Sequence, residues 1–385
     1  MTELSLENPE AVAFSSEMLR ASLSGLPTPR RDEKLYREVT AAGFAAFPER
    51  LGNLNRFKRS QRGETLDYLP IQMDIENVSR CNFRCTMCQV SGWAKGQRSR
   101  DMTLDEFKAL IDEQYGLIDI KLQGMGEPLM AGDDFFEMIR YARSRHIWVR
   151  TTVNGSLLHL HDNYRKLIEA DICEAQVSID GVTKKTYEEI RIGGKFEHVT
   201  RNVRMLNDFA RQDGRLRTRM WSVVQKSNFC EIEDFPKYAA DQGFERLTIS
   251  LNLTDWGQQH WQERNDRIDA HNDFDAELGM RIVEDGRRRG VEVTFWAVDD
   301  RYDTTSKDSL CPWPFERLYV ASDMRAVPCC VIANPDIYDL GDARDLTKIW
   351  HGPEMQAFRK AHLEGRIPEA CQACYREDFG ASGSE

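Results

Sequence analysis

Short apolar runs alternate with longer amphipathic segments between residues 71 and 251 of the chain. Six runs are typical of buried strands, and in chain order they read IQMDIEN, IDIKLQGM, WVRTTVN, EAQVSID, RMWSVV and RLTISL. The intervening segments, such as TLDEFKALIDEQY and DDFFEMIRYARSR, have the apolar spacing of helices. Strands that alternate with helices indicate right-handed crossover units and a parallel sheet. The sequence therefore predicts an α/β fold, a partial (β/α)6 barrel similar to a TIM barrel, whose ligands bind at the carboxyl ends of the strands.

Length, charge and composition narrow the class of protein. A chain of 385 residues, of which 41% are hydrophobic, can form one barrel-sized domain and a smaller module. Its formal net charge of -11 disfavours nucleic acid and membrane surfaces as partners, because both are anionic. The opening MTELSLENPEAV lacks the basic start and apolar core of a signal peptide, and no apolar run approaches the roughly 18 residues that span a bilayer. We therefore expect a cytoplasmic, globular protein.

Three domains are predicted along the chain. Residues 1–69, which include LYREVTAAGFAAFPERL, have a polar helical pattern and are predicted to form an N-terminal helical extension. Residues 70–300 are predicted to form the barrel. Residues 301–385 are predicted to form a small C-terminal α+β module, because a cysteine, two strand-like runs and a closing cysteine pair follow one another there.

The ten cysteines fall into two groups with three left over. In a reducing cytoplasm, cysteines are more typical of metal ligands or reactive thiols than of disulfides. The first group is Cys81, Cys85 and Cys88, and the second is Cys311, Cys329 or its neighbour Cys330, Cys371 and Cys374. Cys173, Cys230 and the unused member of the adjacent pair remain.

The first group lies in CNFRCTMC, directly after the first predicted strand. A structural zinc site is closed by a fourth ligand at short spacing, but the next cysteine is Cys173 and the first histidine is His146. A 4Fe-4S cluster is usually held by four cysteines, so three would leave one iron open to a substrate or cofactor. Three buried thiols that act only as small hydrophobes fit poorly with the polar neighbours Asn82, Arg84 and Thr86.

The spacing CxxxCxxC after the first strand of a partial barrel resembles the signature of the radical S-adenosylmethionine (SAM) enzymes. The resemblance implies that Cys81, Cys85 and Cys88 hold a 4Fe-4S cluster whose open iron chelates the amino and carboxylate groups of SAM. An electron would then cleave the sulfonium and yield a 5′-deoxyadenosyl radical, which abstracts hydrogen from an unactivated C–H bond. The protein would position the substrate and exclude water.

Three further motifs end the second, third and fourth strands, and they read GMGEP, TTVNGS and VSIDG. Gly124 and Gly126 allow a close approach of the backbone to a ligand, and Glu127 places a carboxylate where an ammonium can be held. In the family, a GGEP motif holds the SAM amino group, whereas Met125 interrupts the glycine pair here. Further positions resemble those that face SAM, namely Asn154, Ser156, Ser178, Asp180 and Arg191. Turn and helix-cap chemistry, or an exposed ion pair for the arginine, are the alternatives for these five.

The second cysteine group allows two interpretations. Four cysteines of this spacing suit a zinc ribbon. The segment also resembles the Twitch module, a shortened SPASM domain, and that resemblance implies an auxiliary 4Fe-4S cluster held by Cys311, Cys329, Cys371 and Cys374, with Cys330 as the alternative to Cys329. A cluster fully ligated by protein would carry electrons rather than bind substrate. The hairpin turn departs from the usual Asp-Gly because it reads Asp323-Met324, so its geometry stays open.

The resemblance implies a net oxidation as the leading reaction. The adenosyl radical would remove hydrogen from a secondary alcohol of a sugar or aminocyclitol, a base would take the hydroxyl proton, and the auxiliary cluster would accept the second electron. Such relatives act in antibiotic biosynthesis, and a flavodoxin or ferredoxin would supply electrons. One alternative is a redox-neutral epimerisation in which a spare thiol, Cys230 or Cys173, returns hydrogen, although either can be a core thiol. Others are modification of a ribosomally made peptide and a non-enzymatic metal scaffold.

Substrate contacts are expected from loops at the barrel mouth. The segment LTDWGQQHW follows the sixth strand and mixes polar and aromatic side chains suited to a hydroxylated ring, namely Asp255, Trp256, Gln258, His260 and Trp261. A solvated loop whose tryptophans pack on the barrel is the alternative.

Overall fold

One mixed sheet organises the chain in the computed structural model, which describes residues 25–94, 97–98, 100–270, 273–296 and 302–375. Within these ranges, ten strands occur in the sheet order β10-β9-β8-β1-β2-β3-β4-β5-β6-β7. The strands are β1 (Gln72–Ile75), β2 (Asp119–Leu122), β3 (Trp148–Val153), β4 (Glu174–Ser178), β5 (Thr218–Val223), β6 (Arg246–Ser250), β7 (Glu292–Trp296), β8 (Arg317–Val320), β9 (Arg325–Val327) and β10 (Gly341–Asp342). All pairs from β8 through β1 to β7 are parallel, and only the β8-β9-β10 meander is antiparallel.

The α/β class and the partial barrel are therefore confirmed, and β1 to β6 occupy the six predicted runs. The sheet extends beyond them on both sides. A seventh parallel strand, β7, follows β6, and the C-terminal segment contributes β8, which pairs in parallel with β1.

Helices connect the strands and cover the outer face of the sheet. Among the described residues, the α-helices are α1 (Glu33–Ala46), α2 (Pro48–Arg59), α3 (Leu104–Glu113), α4 (Asp133–Ser144), α5 (Asn163–Glu169), α6 (Lys184–Ile190), α7 (Phe196–Ala210), α8 (Phe235–Asp241), α9 (Gln259–Ile268), α10 (Ala276–Arg288), α11 (Trp313–Glu316), α12 (Leu346–Trp350) and α13 (Pro353–Leu363). Local sequence fixes several starts. For α3, Thr103 and Glu106 form a reciprocal capping box. In the described part of the chain, no helix is both long and apolar enough to span a membrane.

The first helices close the amino-terminal end of the barrel. Leu35 and Val39 of α1 and Leu54 of α2 form a buried cluster with residues at the starts of the strands, including Ile71 and Trp148. Burial of this apolar surface closes that end, so the opposite, carboxyl-terminal end carries the loops that form a site.

The inner face of the barrel carries polar and charged side chains. Parallel strands covered on both faces are usually apolar throughout. Here the side chains alternate, so that Met73 and Ile75 of β1 lie in the main hydrophobic core while Asp74 between them lines an internal cavity. Further polar residues line the same cavity on neighbouring strands, namely Lys121, Arg150, Glu174, Gln176, Arg219 and Arg317.

Candidate active site

An internal cavity of about 410 Å³ follows the barrel axis. The three cysteines of the first group line it at the carboxyl ends of the strands, namely Cys81, Cys85 and Cys88. Arg30 and Trp148 line it at the amino-terminal end. The cavity thus leads from the first cysteine group into the polar interior of the barrel.

Backbone hydrogen bonds fix the cysteine loop. Arg84 N donates to Ile192 O at 2.9 Å and Thr86 N donates to Ile190 O at 3.0 Å, which ties the loop to the end of α6. Phe83 is buried and packs closely on the loop that follows α6. The three cysteines are therefore placed by one short, anchored segment.

The three thiols lie close enough for their charges to interact, and all are only partly exposed. Burial raises the pKa of Cys81 and of Cys88 to about 12, and the nearby Glu127 adds to the shift at Cys81. Burial also raises the pKa of Cys85, while Arg191 opposes that shift. In the described part of the chain, no three Cys, His, Asp or Glu side chains form a site for a single metal ion. A three-thiol donor set in one loop fits a 4Fe-4S cluster with one open iron, whose positive charge would deprotonate the thiols.

Glu127 offers a buried acceptor beside these cysteines. Its side chain lines the cavity, is 2% exposed, and accepts a hydrogen bond from Asn154 N through Oε2 at 2.7 Å. Its Oε1 has no hydrogen-bond partner among the described residues, and burial raises its pKa to about 7. A buried carboxylate oxygen without a partner fits an incoming ammonium group, such as that of SAM.

The two glycines of GMGEP make room for protein as well as for a ligand. A Cβ on Gly124 would lie 2.2 Å from Glu76 Cγ, and one on Gly126 would lie 2.3 Å from Val78 O. Glycine is required at both positions because this loop packs directly against the chain that follows β1. The sequence indicated a close approach to a ligand or a simple turn, and this packing contact could not be predicted from it.

The polar residues after β3 bond largely to one another. Asn154 Nδ2 donates to Asn82 Oδ1 at 2.8 Å, Asn82 Nδ2 donates to Ser156 Oγ at 2.9 Å, and Ser156 Oγ donates to Asn154 Oδ1 at 2.7 Å. Asn154 lines the cavity, whereas Ser156 is not among the lining residues. This triangle links the cysteine loop to the end of β3.

Ser178 lines the cavity at the end of β4, but Asp180 lies behind it. Asp180 is fully buried, its Oδ2 lies 2.7 Å from Arg191 Nη2, and its Oδ1 accepts from Val223 N at 2.8 Å. Burial opposes the charge of Arg191, yet Asp180 and Cys85 raise its pKa. The ion pair is buried and not exposed, and it holds Arg191 beside Cys85 at the cavity wall.

Sequence reasoning missed Glu76, which joins three segments at the mouth of the barrel. This fully buried carboxylate accepts from Met125 N at 2.9 Å and from Ser322 N at 3.0 Å, and it pairs with Arg98 Nη2 at 2.6 Å. A carboxylate directly after an apolar strand was the sequence signal that could have identified Glu76. Glu76 connects β1 to the GMGEP loop and to the turn between β8 and β9.

The second cysteine group comes together around the β8-β9 hairpin. The thiol of Cys329 lies within electrostatic range of the thiols of Cys371, Cys330 and Cys374. The thiol of Cys371 lies within the same range of Cys311. Burial raises the pKa of Cys329 and Cys371 well above the ordinary value. Cys330 is the member of this group that lines the cavity. The arrangement fits a four-thiol cluster site with one further thiol turned toward the barrel.

The hairpin forms without the usual glycine. Met324 adopts φ 67° and is buried, and Ala321 N donates to Arg325 O at 2.9 Å across the turn. A non-glycine residue in this conformation costs on the order of 1 kcal/mol, which the burial of Met324 offsets.

The other residues that the sequence predicted for the site differ in whether they line the cavity. Trp256 lines the cavity and donates from Nε1 to Met87 O at 3.3 Å, whereas Trp261 is buried in the core and His260 is exposed. Cys230 is exposed and Cys173 is buried in the cluster under α1. Neither of these two thiols is among the residues that line the cavity.

Comparison with known proteins agrees with this geometry. Residues 76–251 match the radical SAM superfamily, and residues 311–375 match the iron-sulfur cluster-binding SPASM domain. The chain is 24% identical to the PqqA peptide cyclase of Bradyrhizobium diazoefficiens over 84% of its own length and 83% of that protein. It is 27% identical to the mycofactocin maturase MftC of Mycolicibacterium smegmatis over 50% of its length and 48% of the maturase.

Solved structures share the fold at low identity. Streptococcus suis SuiB bound to its precursor peptide SuiA matches with a TM-score of 0.61 and 13% identity over 80% of this chain and 69% of SuiB. The enzyme anSMEcpe with bound AdoMet matches with a TM-score of 0.54 and 16% identity over 80% of this chain and 92% of that one.

A cysteine loop at the mouth of a parallel barrel, with a second cysteine module beside it, fits two iron-sulfur sites. The chain contains a radical SAM domain at residues 76–251 and a C-terminal SPASM module at residues 311–375. It binds a SAM-ligated 4Fe-4S cluster and an auxiliary cluster. The predicted family, fold and cofactors are confirmed.

Proposed function

We propose that the protein oxidises a secondary alcohol of a small hydroxylated molecule, such as a sugar or aminocyclitol, inside the barrel. The polar and charged side chains in the wall of the internal cavity support this proposal most directly. A cavity of about 410 Å³ suits a small molecule, and its side chains offer the hydrogen-bond partners that hydroxyl groups require.

The positions of the cysteines support the following assignments. We assign Cys81, Cys85 and Cys88 to the SAM cluster and Glu127 Oε1 to the SAM amino group. We assign Cys311, Cys329, Cys371 and Cys374 to the auxiliary cluster. When bound, SAM and its cluster would supply a 5′-deoxyadenosyl radical that takes a hydrogen atom from the carbinol carbon, the auxiliary cluster would accept the remaining electron, and a base would accept the hydroxyl proton.

The residues of the barrel perform three tasks in this proposal. Polar side chains such as Gln176 and Ser178 orient the hydroxylated substrate from the wall of the cavity. Trp221 and Trp296, whose ring centroids lie 6.1 Å apart, provide an apolar surface against one face of a ring and exclude water. The buried Asp180–Arg191 pair fixes the cavity wall next to Cys85.

Deuterium transfer tests the proposal. Anaerobically reconstituted protein, SAM and a chemical reductant are incubated with a panel of polyols deuterated at their carbinol carbons, and 5′-deoxyadenosine is analysed by mass spectrometry. We expect deuterium in 5′-deoxyadenosine and a ketone product from at least one polyol. A triple variant with alanine at positions 81, 85 and 88 is the control and should form neither. Deuterium transfer only from peptides would contradict the proposal.

Peptide modification is the second candidate, and the named relatives favour it. The chain aligns with a peptide cyclase over 84% of its length, and SuiB was solved with a precursor peptide. The same assay with candidate precursor peptides distinguishes the two functions, because a peptide substrate would show a mass change in the peptide and no small ketone.

A redox-neutral reaction is the third candidate, and Cys330 favours it because this thiol lines the cavity. It would return a hydrogen atom to the substrate radical, a role that the sequence had offered to Cys230 or Cys173. In heavy water, deuterium would then enter the product in the wild type and not in a Cys330→Ser variant.

A further inference from the structure

The wall of the cavity differs in charge from the rest of the molecule. The whole chain carries a formal net charge of -11, but seven basic residues and three acidic residues line the cavity. Some basic groups are neutralised locally, because Arg191 pairs with Asp180 at 2.7 Å and Arg219 with Glu174 at 3.3 Å. Apart from these ion pairs, a basic cluster lies deeper in the barrel around Asp74, and it is formed by Lys121, Arg150 and Arg317.

Arg317 has hydrogen-bonding capacity that the protein does not use. It is 6% exposed and lines the cavity from β8, where it pairs in register with Gln72 of β1. Its Nε and Nη2 have no hydrogen-bond partner among the described residues. The nearest ion-pair contact is Glu316 Oε2, 3.8 Å from Nη2, and the guanidinium lies over the ring of Trp313. Buried guanidinium N–H groups without partners are costly unless a ligand satisfies them.

Lys121 adds a second cation, two residues nearer the carboxyl ends of the strands than Arg317. It lies opposite Asp74 in the β1-β2 register, and among the described residues no carboxylate oxygen lies within 4.0 Å of its Nζ. Three acidic side chains accompany this cluster, and one of them, Glu316, is shared between Arg317 and Arg62, which lies 3.9 Å from it. Asp74 is buried among the three basic groups, and Asp119 is held by Arg31 at 2.6 Å and lies 4.0 Å from Arg150. Arg62 and Arg31 help to compensate Glu316 and Asp119, so the three basic groups of the cluster outnumber the one acid, Asp74, that lies among them.

We propose that the basic cluster of Lys121, Arg150 and Arg317 binds an anionic group of the substrate, a carboxylate or a phosphate, and so selects acidic hydroxylated molecules. This inference rests on the proposed function, because it assumes that the cavity receives the substrate. The fork of Arg317 suits either anion, and Lys121 adds a point charge. The anion would anchor the molecule deep in the barrel and leave its hydroxyl-bearing carbons toward the cysteine loop.

Binding of matched probes tests the inference without turnover. Holoenzyme with both clusters and SAM, but without reductant, is titrated anaerobically by calorimetry with glucose, glucuronate and glucose 6-phosphate. These probes share one ring and differ in the group at one carbon. We expect at least one anionic probe to bind about tenfold more tightly than glucose, a difference of about 1.4 kcal/mol. The carboxylate and phosphate arms show which anion is preferred.

Variants assign that preference to the cluster. Arg317→Gln and Lys121→Met should each reduce the preference for the anionic probe by about tenfold. Lys34→Met, which changes an exposed lysine of α1, is the matched control and should retain the preference. Iron content and SAM binding of each variant are compared with wild type to establish that it is folded. Equal affinities for the three probes, no detectable binding of either anion, or an unchanged preference in both cavity variants would overturn the inference.

The two proposals fail in different ways. Deuterium transfer from neutral polyols without any preference for anions would retain the proposed oxidation and overturn the anionic specificity. Deuterium transfer only from a peptide would overturn the oxidation, whatever the titrations show.

Discussion

The two cysteine groups are assembled in different ways. Cys81, Cys85 and Cys88 lie within eight residues of one loop, so local chain geometry alone brings them together. The second group spans Cys311 to Cys374 and meets only when the β8-β9 hairpin and the end of the chain pack together. The first site therefore depends on a short anchored segment, and the second depends on the folding of the whole module.

Contacts with the barrel hold that module in place. β8 continues the sheet beside β1, and Trp350 Nε1 donates to Tyr68 O at 2.7 Å. Thr347 N donates to Glu113 Oε1 at 3.0 Å, which joins the module to the end of α3. The comparison predicts that damage to the first group stays local, whereas damage to the second group also weakens the fold.

Removal of the first group should have the largest effect. In the triple variant with alanine at positions 81, 85 and 88, iron should fall from about eight to about four per chain, because one 4Fe-4S cluster is lost. Formation of 5′-deoxyadenosine should be abolished. The melting temperature of the apo-protein should change little, since the loop is anchored mainly by its backbone. Iron analysis, chromatography and calorimetry measure these three effects, and residual SAM cleavage would contradict the assignment.

Removal of the closing pair should separate SAM cleavage from product formation. A Cys371→Ala and Cys374→Ala double variant should lose the auxiliary cluster and the oxidised product while it still forms 5′-deoxyadenosine. Its module should unfold at a lower temperature than that of the wild-type holoenzyme, because cluster binding stabilises only the folded site. Full retention of the oxidised product would contradict the electron-acceptor role.

The adjacent cysteines provide a matched pair within the second group. Cys329→Ser should lose the auxiliary cluster, because Cys329 lies among Cys371 and Cys374, whereas Cys330→Ser should retain it. Iron content and EPR spectra of the two reconstituted variants show which of the two cysteines is the cluster ligand. The reverse result would assign the ligand role to Cys330 and the cavity-facing position to Cys329.

The Glu76–Arg98 pair tests how firmly the barrel is joined to the C-terminal module. Glu76→Gln should reduce the free energy of unfolding by about 3–5 kcal/mol, because it leaves the buried Arg98 without its charge partner. Glu137→Gln, which removes the exposed partner of Arg140, is the matched control and should change it by about 0–1 kcal/mol. Denaturant unfolding measures both, and equal effects would show that Glu76 does not join the segments.

The smallest effect concerns the pH dependence of SAM binding at the first group. Burial raises the pKa of Glu127 to about 7 from its ordinary 4.5, so the carboxylate gains a proton as the pH falls through neutrality. Between about pH 8 and pH 6, the affinity of the cluster-loaded enzyme for SAM should fall by about tenfold, because only the ionised form pairs with the ammonium. Glu127→Gln should bind weakly with no such dependence, and an identical pH profile in both would contradict the role of Glu127.

The sequence predicted the local features better than the long-range ones. The six strand runs and the cysteine loop are encoded by short patterns, so they could be located before the structure. β7 was missed because its run, EVTFW, follows a long helix outside the six regular repeats. The parallel pairing of β8 with β1 could not be predicted, since no local pattern specifies which strand a distant segment joins.

The polar interior of the barrel was predictable in principle. Charged or polar residues alternate with apolar ones in the strand runs, as in QMDI and DIKL, although parallel strands are usually apolar on both faces. The roles of Glu76 and Arg317 depend on contacts across more than 20 residues of sequence, so they required the fold.

EPR of the reduced holoenzyme tests the contrast between the two groups most directly. Spectra are recorded with and without SAM on the wild type and on the triple variant at positions 81, 85 and 88. We predict two 4Fe-4S signals in the wild type, of which SAM alters one, and a single signal that SAM does not alter in the triple variant. A signal from one cluster only in the wild type, or a SAM-induced change that persists in the triple variant, would contradict the division into a SAM site and an auxiliary site.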